Sequence, residues 1–402
     1  MSQGSREGLA TPEERRERPH QYVEVPVPAG APALTVELDY RREAGVIDLG
    51  VFDPDGAFRG YSGGARDRFV ITVDAATPGY LPGPLPAGEW RVFLRLHEVP
   101  AGGLPWAVRW STSPAAPEPL PPPPPVPQRP PRRGLPAPRG RTWLAGDLHA
   151  HTVHSDGSAT IDELAALAVG RGLDFLAVTD HNTVSHHPHL PAAAQRAGID
   201  LLPGQEVTIA TAHGNALGDV GWVDFREPTV DWAAHVRRAG GLLSVNHPVG
   251  GDCAWREALP EDHSHVEAWH GSWDRRDRTA LRWWRRHGGV PVGGGDLHHP
   301  ARGDLPGAPT TWVATDGDIL SAIADGWVAV AEDPLGPALV RVDGSLVAVD
   351  ADGTRLYAGD SWLDDGASEH GVLVGSGRVD LGARRGWHVL VAEDGRVVAL
   401  SP

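Results

Sequence analysis

Two kinds of hydrophobic patterning divide this chain. From Tyr22 to Ser111 apolar and polar residues alternate in short runs, such as Val23-Glu-Val-Pro-Val, Leu34-Thr-Val-Glu-Leu, Phe69-Val-Ile-Thr-Val and Trp90-Arg-Val-Phe-Leu-Arg-Leu, with turn signals such as Asp53-Pro-Asp-Gly between them. Period two with frequent turns predicts an antiparallel β-sandwich of roughly seven strands over 20–112. Residues 1–19 are charged and show no such alternation, so they are expected to be disordered. Pro121 to Pro125 run in succession inside 113–140, which predicts an extended polyproline linker. Over 141–340 strand-like and helix-like segments alternate. Thr160-Ile-Asp-Glu163 has capping-box spacing and opens a helix to about Gly170, after which Leu173-Asp-Phe-Leu-Ala-Val reads as a buried strand. Repeated units of this kind predict an α/β fold, either a barrel or a doubly wound sheet. Short β runs return over 341–402 and predict a small β-rich extension.

Histidines and carboxylates recur where the apolar runs of the middle region end. They stand in Gly-Asp-Leu-His149-Ala-His151-Thr-Val-His154-Ser-Asp156-Gly, Thr-Asp180-His181-Asn-Thr, Gly-Gln-Glu206-Val-Thr, His213-Gly-Asn-Ala-Leu-Gly, Val-Asn-His247-Pro and Gly-Gly-Asp296-Leu-His298. Neutral imidazoles and carboxylates suit borderline-hard divalent ions. His149 and His151 lie two apart, as do Asp296 and His298, so each pair faces one side of an extended chain. Glu206 is read as an exposed residue beyond a strand, with two oxygens available to bridge ions. His213 and His247 serve a second ion, and Asp156 sits on a loop where it serves another. His181 offers an imidazole with Asp180 behind it, a placement that offsets the cost of a charged pair at the end of an apolar strand. Asp180 and His154 are the candidates for work beyond ligation, His154 as a substrate contact or proton shuttle.

Composition narrows the reading. The chain has 402 residues, 36 basic and 52 acidic, a net charge of -16, and every basic residue among the Lys and Arg is arginine. Such a surface repels phosphate backbones, so nucleic acid is not an expected partner. One cysteine, Cys253, rules out an internal disulfide framework. No apolar run of about 18 residues and no secretory leader are evident, so a cytoplasmic location without membrane contact is expected.

The quoted motifs resemble the PHP (polymerase and histidinol phosphatase) superfamily across 142–340, and their phrasing looks like the CehA/McbA-type metallohydrolases. The resemblance implies a distorted seven-stranded β/α barrel holding two or three divalent ions of zinc, manganese or iron. By motif position His149, His151, Glu206 and Asp296 hold one ion, Glu206, His213 and His247 the next, and Asp156, His181 and His298 the third. Amidohydrolases also begin with His-x-His, but their two-metal members bridge ions with a carboxylated lysine, which this chain lacks. The expected activity is hydrolysis of a small-molecule phosphate mono- or diester by a metal-activated hydroxide. The subgroup resemblance adds carbamates, esters or amides as the alternative. A metal-stabilised binding module without turnover is the reading from another class.

Overall fold

The computed structural model describes residues 2–260, 263–365 and 371–402. The chain divides into two compact units. One holds residues up to 122 together with 152–160 and 180–188; the other holds 123–151, 161–179 and 189–402.

In the first unit, β1 (Gln3–Ala10), α1 (Pro12–Glu17), β2 (His20–Val27), β3 (Ala33–Tyr40), β4 (Val46–Phe52), β5 (Phe58–Gly63), β6 (Arg68–Thr72), β7 (Gly88–Glu98) and β8 (Leu104–Ser111) follow in order. They form two antiparallel sheets, β1-β8-β3-β6 and β2-β7-β4-β5. Alternate residues such as Val23, Val25, Val36, Leu49, Val92 and Leu94 form a shared core. The disorder expected for residues 1–19 is corrected here. β1 is a polar strand that pairs with β8, and Thr11 and Glu14 close a capping box on α1. Apolar alternation is not what holds β1. Gly4 and Gly8 lie opposite Trp110 and Trp106, where a Cβ would come within 2.4 Å of either indole. The absent side chains let the backbone lie over both rings.

The second unit carries β9 (Thr142–Asp147), α2 (Ile161–Gly170), β10 (Phe175–Val178), α3 (Leu190–Ala197), β11 (Asp200–Ile209), β12 (Ala212–Leu217), α4 (Thr229–Arg238), β13 (Leu242–Val245), β14 (His265–His270), α5 (Thr279–His287), β15 (Val290–Gly294), β16 (Thr310–Thr315), α6 (Ile319–Ala324) and β17 (Val328–Ala331). Beyond these lie β18 (Ala338–Val342), β19 (Ser345–Val349), β20 (Arg355–Ala358), α7 (Gly359–Asp365), β21 (Val372–Leu373), β22 (Arg378–Ala383), β23 (His388–Val391) and β24 (Val397–Ser401). One long sheet runs β15-β14-β13-β12-β11-β10-β9-β16-β17-β24-β23-β20-β21, and β18-β19-β22 form another. The long sheet is mixed, not parallel as the alternation implies. β12 runs antiparallel to both its neighbours, and β16 runs antiparallel to β9.

β11 explains one departure from the expected strand ends. Asp200 to Pro203 pair with β10, whereas Gly204 to Ile209 pair with β12. Pro203-Gly204 therefore marks a change of partner within one strand, and Glu206 lies mid-strand and buried.

The proline-rich segment has no regular secondary structure, and its arginines fasten it to the second unit. Arg129 donates to the Gly198 carbonyl at 2.9 Å, Arg132 to Asp174 at 2.9 Å and Arg133 to Asp350 at 2.8 Å.

The core beneath β9 contains Leu148, Phe175, Val292 and Val313. Gly146 pairs with Phe175, and a Cβ at Gly146 would meet that ring at 2.2 Å. Gly146→Ala is expected to cost about 1–3 kcal/mol through overpacking. The urea midpoint should fall with its slope unchanged.

Candidate metal centre

Six of the seven neighbouring strands from β15 to β9 deliver the site, all but β10. His149 and His151 follow β9, and the Ala150–Leu297 bridge with the His151 N–H donated to the Leu297 carbonyl at 2.9 Å keeps this stretch extended. Both imidazoles therefore turn to one side, as their spacing predicts. Glu206 comes from β11 and His213 from the antiparallel β12 beside it; His247 follows β13, Glu267 and His270 come from β14, and Asp296 follows β15.

Glu206 is the hub. Its Oε1 lies 3.4 Å from His149 Nε2, 3.3 Å from His213 Nδ1 and 3.2 Å from His247 Nε2, and its Oε2 lies 3.6 Å from His151 Nε2. Asp296 Oδ1 stands 3.1 Å from His149 Nε2 and 3.0 Å from His151 Nε2. The two Nε2 atoms are themselves 3.1 Å apart, and both rings are fully buried. Ligand atoms at about 2.0–2.2 Å from a tetrahedral ion stand about 3.3–3.6 Å from one another. His149, His151 and Glu206 offer ligand atoms within 4.8 Å of one another, and Asp296 adds a carboxylate oxygen at 3.1 and 3.0 Å from the two imidazoles. The residues fit a divalent metal.

Several neighbours hold these side chains in place. Glu267 Oε1 accepts from His149 Nδ1 at 3.0 Å and its Oε2 accepts the His247 backbone N–H at 2.8 Å, leaving His149 Nε2 turned to the centre. Asn246 donates to Glu206 Oε1 at 2.9 Å. The glycines before Asp296 are required by space: a Cβ at Gly294 would meet Glu267 Oε1 at 2.0 Å, and one at Gly295 would meet Asp147 Oδ2 at 2.5 Å. His247 and Asp296 have φ of 25° and 51°, a left-handed backbone that costs these residues energy.

The electrostatics follow from burial against mutual attraction. Burial lowers the His149 pKa, but Asp296, Glu206 and Glu267 outweigh it and hold it well above the usual imidazole value. His247 is likewise raised, its burial outweighed by Glu206 and Glu267. Burial pushes Asp296 and Glu267 up, and the surrounding imidazoles bring both down, Asp296 well below the carboxylate range. Asp147 is different. Burial pushes it up to about 6 against the backbone N–H groups of Gly295, Gly307 and His149.

The remaining sequence candidates fall in two places. His298 is in the second unit, its ring stacked on His151 at 4.2 Å and its Nδ1 2.9 Å from the Asp296 carbonyl. Asp156, His181, Asp180 and His154 belong to loops of the first unit. His181 Nε2 lies 3.8 Å from Asp156 Oδ2. Asp180 accepts from Thr152 N at 2.8 Å, Thr152 Oγ1 at 2.7 Å and Ser155 Oγ at 2.7 Å, which fastens that loop. His154 Nδ1 lies 2.8 Å from Ser185 Oγ, which also accepts the Gly79 N–H at 3.1 Å. Sequence reasoning missed Glu267, His270, Asn246 and Asp147. Charge inside the apolar run Val266-Glu-Ala-Trp-His was the available signal, since a buried carboxylate needs a partner.

Residues 147–258 match the family model described as PHP domain. The matched segment contains every residue proposed as a ligand from the sequence except Asp296 and His298. A 3',5'-nucleoside bisphosphate phosphatase of Chromobacterium violaceum is 38% identical over 103 residues, 25% of this chain and 32% of that protein. A 5'-3' exoribonuclease of Haemophilus influenzae is 37% identical over 62 residues, 15% of this chain and 23% of that one. The chain thus spans a third or less of these curated relatives. A solved two-domain protein from Bacteroides vulgatus, containing a predicted PHP-like metal-dependent phosphoesterase, aligns over 68% of this chain and 99% of that one, with 17% identity and a TM-score of 0.44.

Asp147 makes a pH prediction for the metal-free protein. Its pKa rises from 3.8 to about 6 on folding, so folding takes up a proton. The stability it contributes is complete below 3.8 and is lost as pH rises through about 6. Unfolding free energy of the wild type minus that of Asp147→Asn should fall across this window, read by urea titration at pH steps.

Proposed function

We propose that this protein is a metal-dependent phosphoesterase acting on a small-molecule phosphate mono- or diester. One observation carries the reading: a buried carboxylate, Glu206, is approached on both oxygens by four imidazoles at 3.2–3.6 Å. A single anion among four nitrogen donors suits a carboxylate bridging two ions. His149, His151 and Asp296 would complete one ion's set, and His213 and His247 the other's. Asp156, His181 and His298 are proposed as ligands of a third ion on their motif positions. The seven neighbouring strands from β15 to β9 support a distorted seven-stranded barrel as the scaffold.

Divalent ions held here supply Lewis acidity and lower the pKa of water from about 15.7 to about 7. The chain's own residues supply the arrangement. Glu267 keeps the His149 tautomer with Nε2 toward the centre, and Asn246 holds Glu206 by its Oε1. Asp180 secures the loop carrying Asp156, and His154, braced by Ser185, is the candidate proton shuttle at that loop. Phosphorus is favoured over a carbonyl centre because the relatives similar to this chain include a nucleoside bisphosphate phosphatase. Carbamate and carboxyl-ester substrates draw no such support. The net charge of -16 favours a small substrate over a long polyanion.

Metal at about 100 times its dissociation constant should stabilise the fold by about 2.7 kcal/mol, visible as a rise in Tm that a chelator reverses. A panel of chromogenic phosphate and carboxyl esters with added Mn or Zn should give turnover on phosphate alone. Glu206→Gln should abolish it. Turnover restricted to carboxyl esters would overturn the phosphorus centre, and turnover undiminished in Glu206→Gln would overturn the site.

A further inference from the structure

β14 contributes nothing to the sequence motifs, yet it sends His270 to the far oxygen of Asp296. His270 Nε2 lies 3.2 Å from Asp296 Oδ2, while Oδ1 faces His149 and His151 at 3.1 and 3.0 Å. His270 is 5% exposed, so its ring nitrogens depend on protein partners. Nδ1 has them: the Ser272 backbone N–H points to it at 3.2 Å and Ser272 Oγ lies at 2.8 Å. A backbone N–H can only donate, so Nδ1 is the bare nitrogen and the neutral ring carries its proton on Nε2. A carboxylate can only accept, so this tautomer lets Nε2 donate to Asp296 Oδ2. The Ser272 N–H thus sets the state of the ring, and Asp296 is placed to accept from it.

That state decides what His270 can do. It stands with His149, His247 and Glu267 in a group whose ligand atoms lie within 4.8 Å of one another, which is close enough for direct ligation. Its Nε2, however, is the protonated nitrogen and has no lone pair to offer an ion. Asp296 needs an external hold: its backbone sits at a φ of 51°, and an unconstrained carboxylate can rotate to offer either oxygen or both. We infer that His270 is a positioning residue that holds Asp296 Oδ2 aside and presents Oδ1 alone to the ion, with Ser272 fixing the ring's tautomer. This rests on the metal-centre reading given above and assigns β14 the task of orienting ligands, His270 for Asp296 as Glu267 does for His149.

The test is Zn²⁺ affinity of the full chain by competition with a chromophoric chelator, together with zinc content at saturation and circular dichroism. His270→Ala should weaken the tightest zinc by about 10–100-fold with saturating content unchanged. His270→Gln, whose amide also donates, should recover most of the loss, and Ser272→Ala, which keeps the backbone N–H, should change little. Unchanged affinity in His270→Ala, or a Gln variant no better than Ala, overturns the inference. Loss of one equivalent of zinc also overturns it, by making His270 a direct ligand. Nitrogen NMR of the metal-free wild type tests the tautomer without any variant: a proton on Nε2 supports it and a proton on Nδ1 overturns it. Failure of the wild type to bind zinc would instead overturn the metal centre itself.

Discussion

A buried carboxylate surrounded by imidazoles is the constraint on which this structure turns. Removing one such charge from water costs several kcal/mol unless opposite charge is brought to it. Glu206 meets that demand with four histidines from three segments of the sheet, which would be poorly placed without a cation among them. The centre is thus a sink for charge as much as a set of ligands. Strands far apart in sequence must align to a few tenths of an ångström to supply it.

The alignment is built in layers. The inner layer is the imidazoles and the Glu206 and Asp296 carboxylates. Behind it, Glu267 ties the His149 ring to the His247 backbone and Asn246 ties β13 to Glu206. Behind that, Gly294 and Gly295 clear the volume that Glu267 and Asp147 occupy. Each layer limits the freedom of the one inside it, which is how a protein keeps the ordering cost off the binding event.

Most of the inner layer was legible in the sequence because its residues end apolar runs, where a polar side chain is conspicuous. His149, His151, His247 and Asp296 follow strands as their motifs suggest, and the structure gathers them. Glu206 was legible as a residue but misplaced. Pro203-Gly204 reads as a strand end, while β11 exchanges one partner for another there and continues. Glu267 and His270 were not legible as a motif, since their pairing depends on register across β13, β14 and β15, which local periodicity does not encode. The same limit hid β1. A polar segment becomes a strand when a neighbour offers backbone hydrogen bonds and, at Gly4 and Gly8, room for two indoles. The sandwich, the alternating middle region and the terminal β runs were legible because each buries a face of regular period.

The left-handed backbone at His247 and Asp296 has a consequence for how this protein would respond to directed evolution. Glycine at either position would relax the main chain while removing one side chain from the centre. A library selected only for heat resistance would therefore drift toward glycine at 247 and 296. It would enrich sturdy chains that have lost the reason for their architecture.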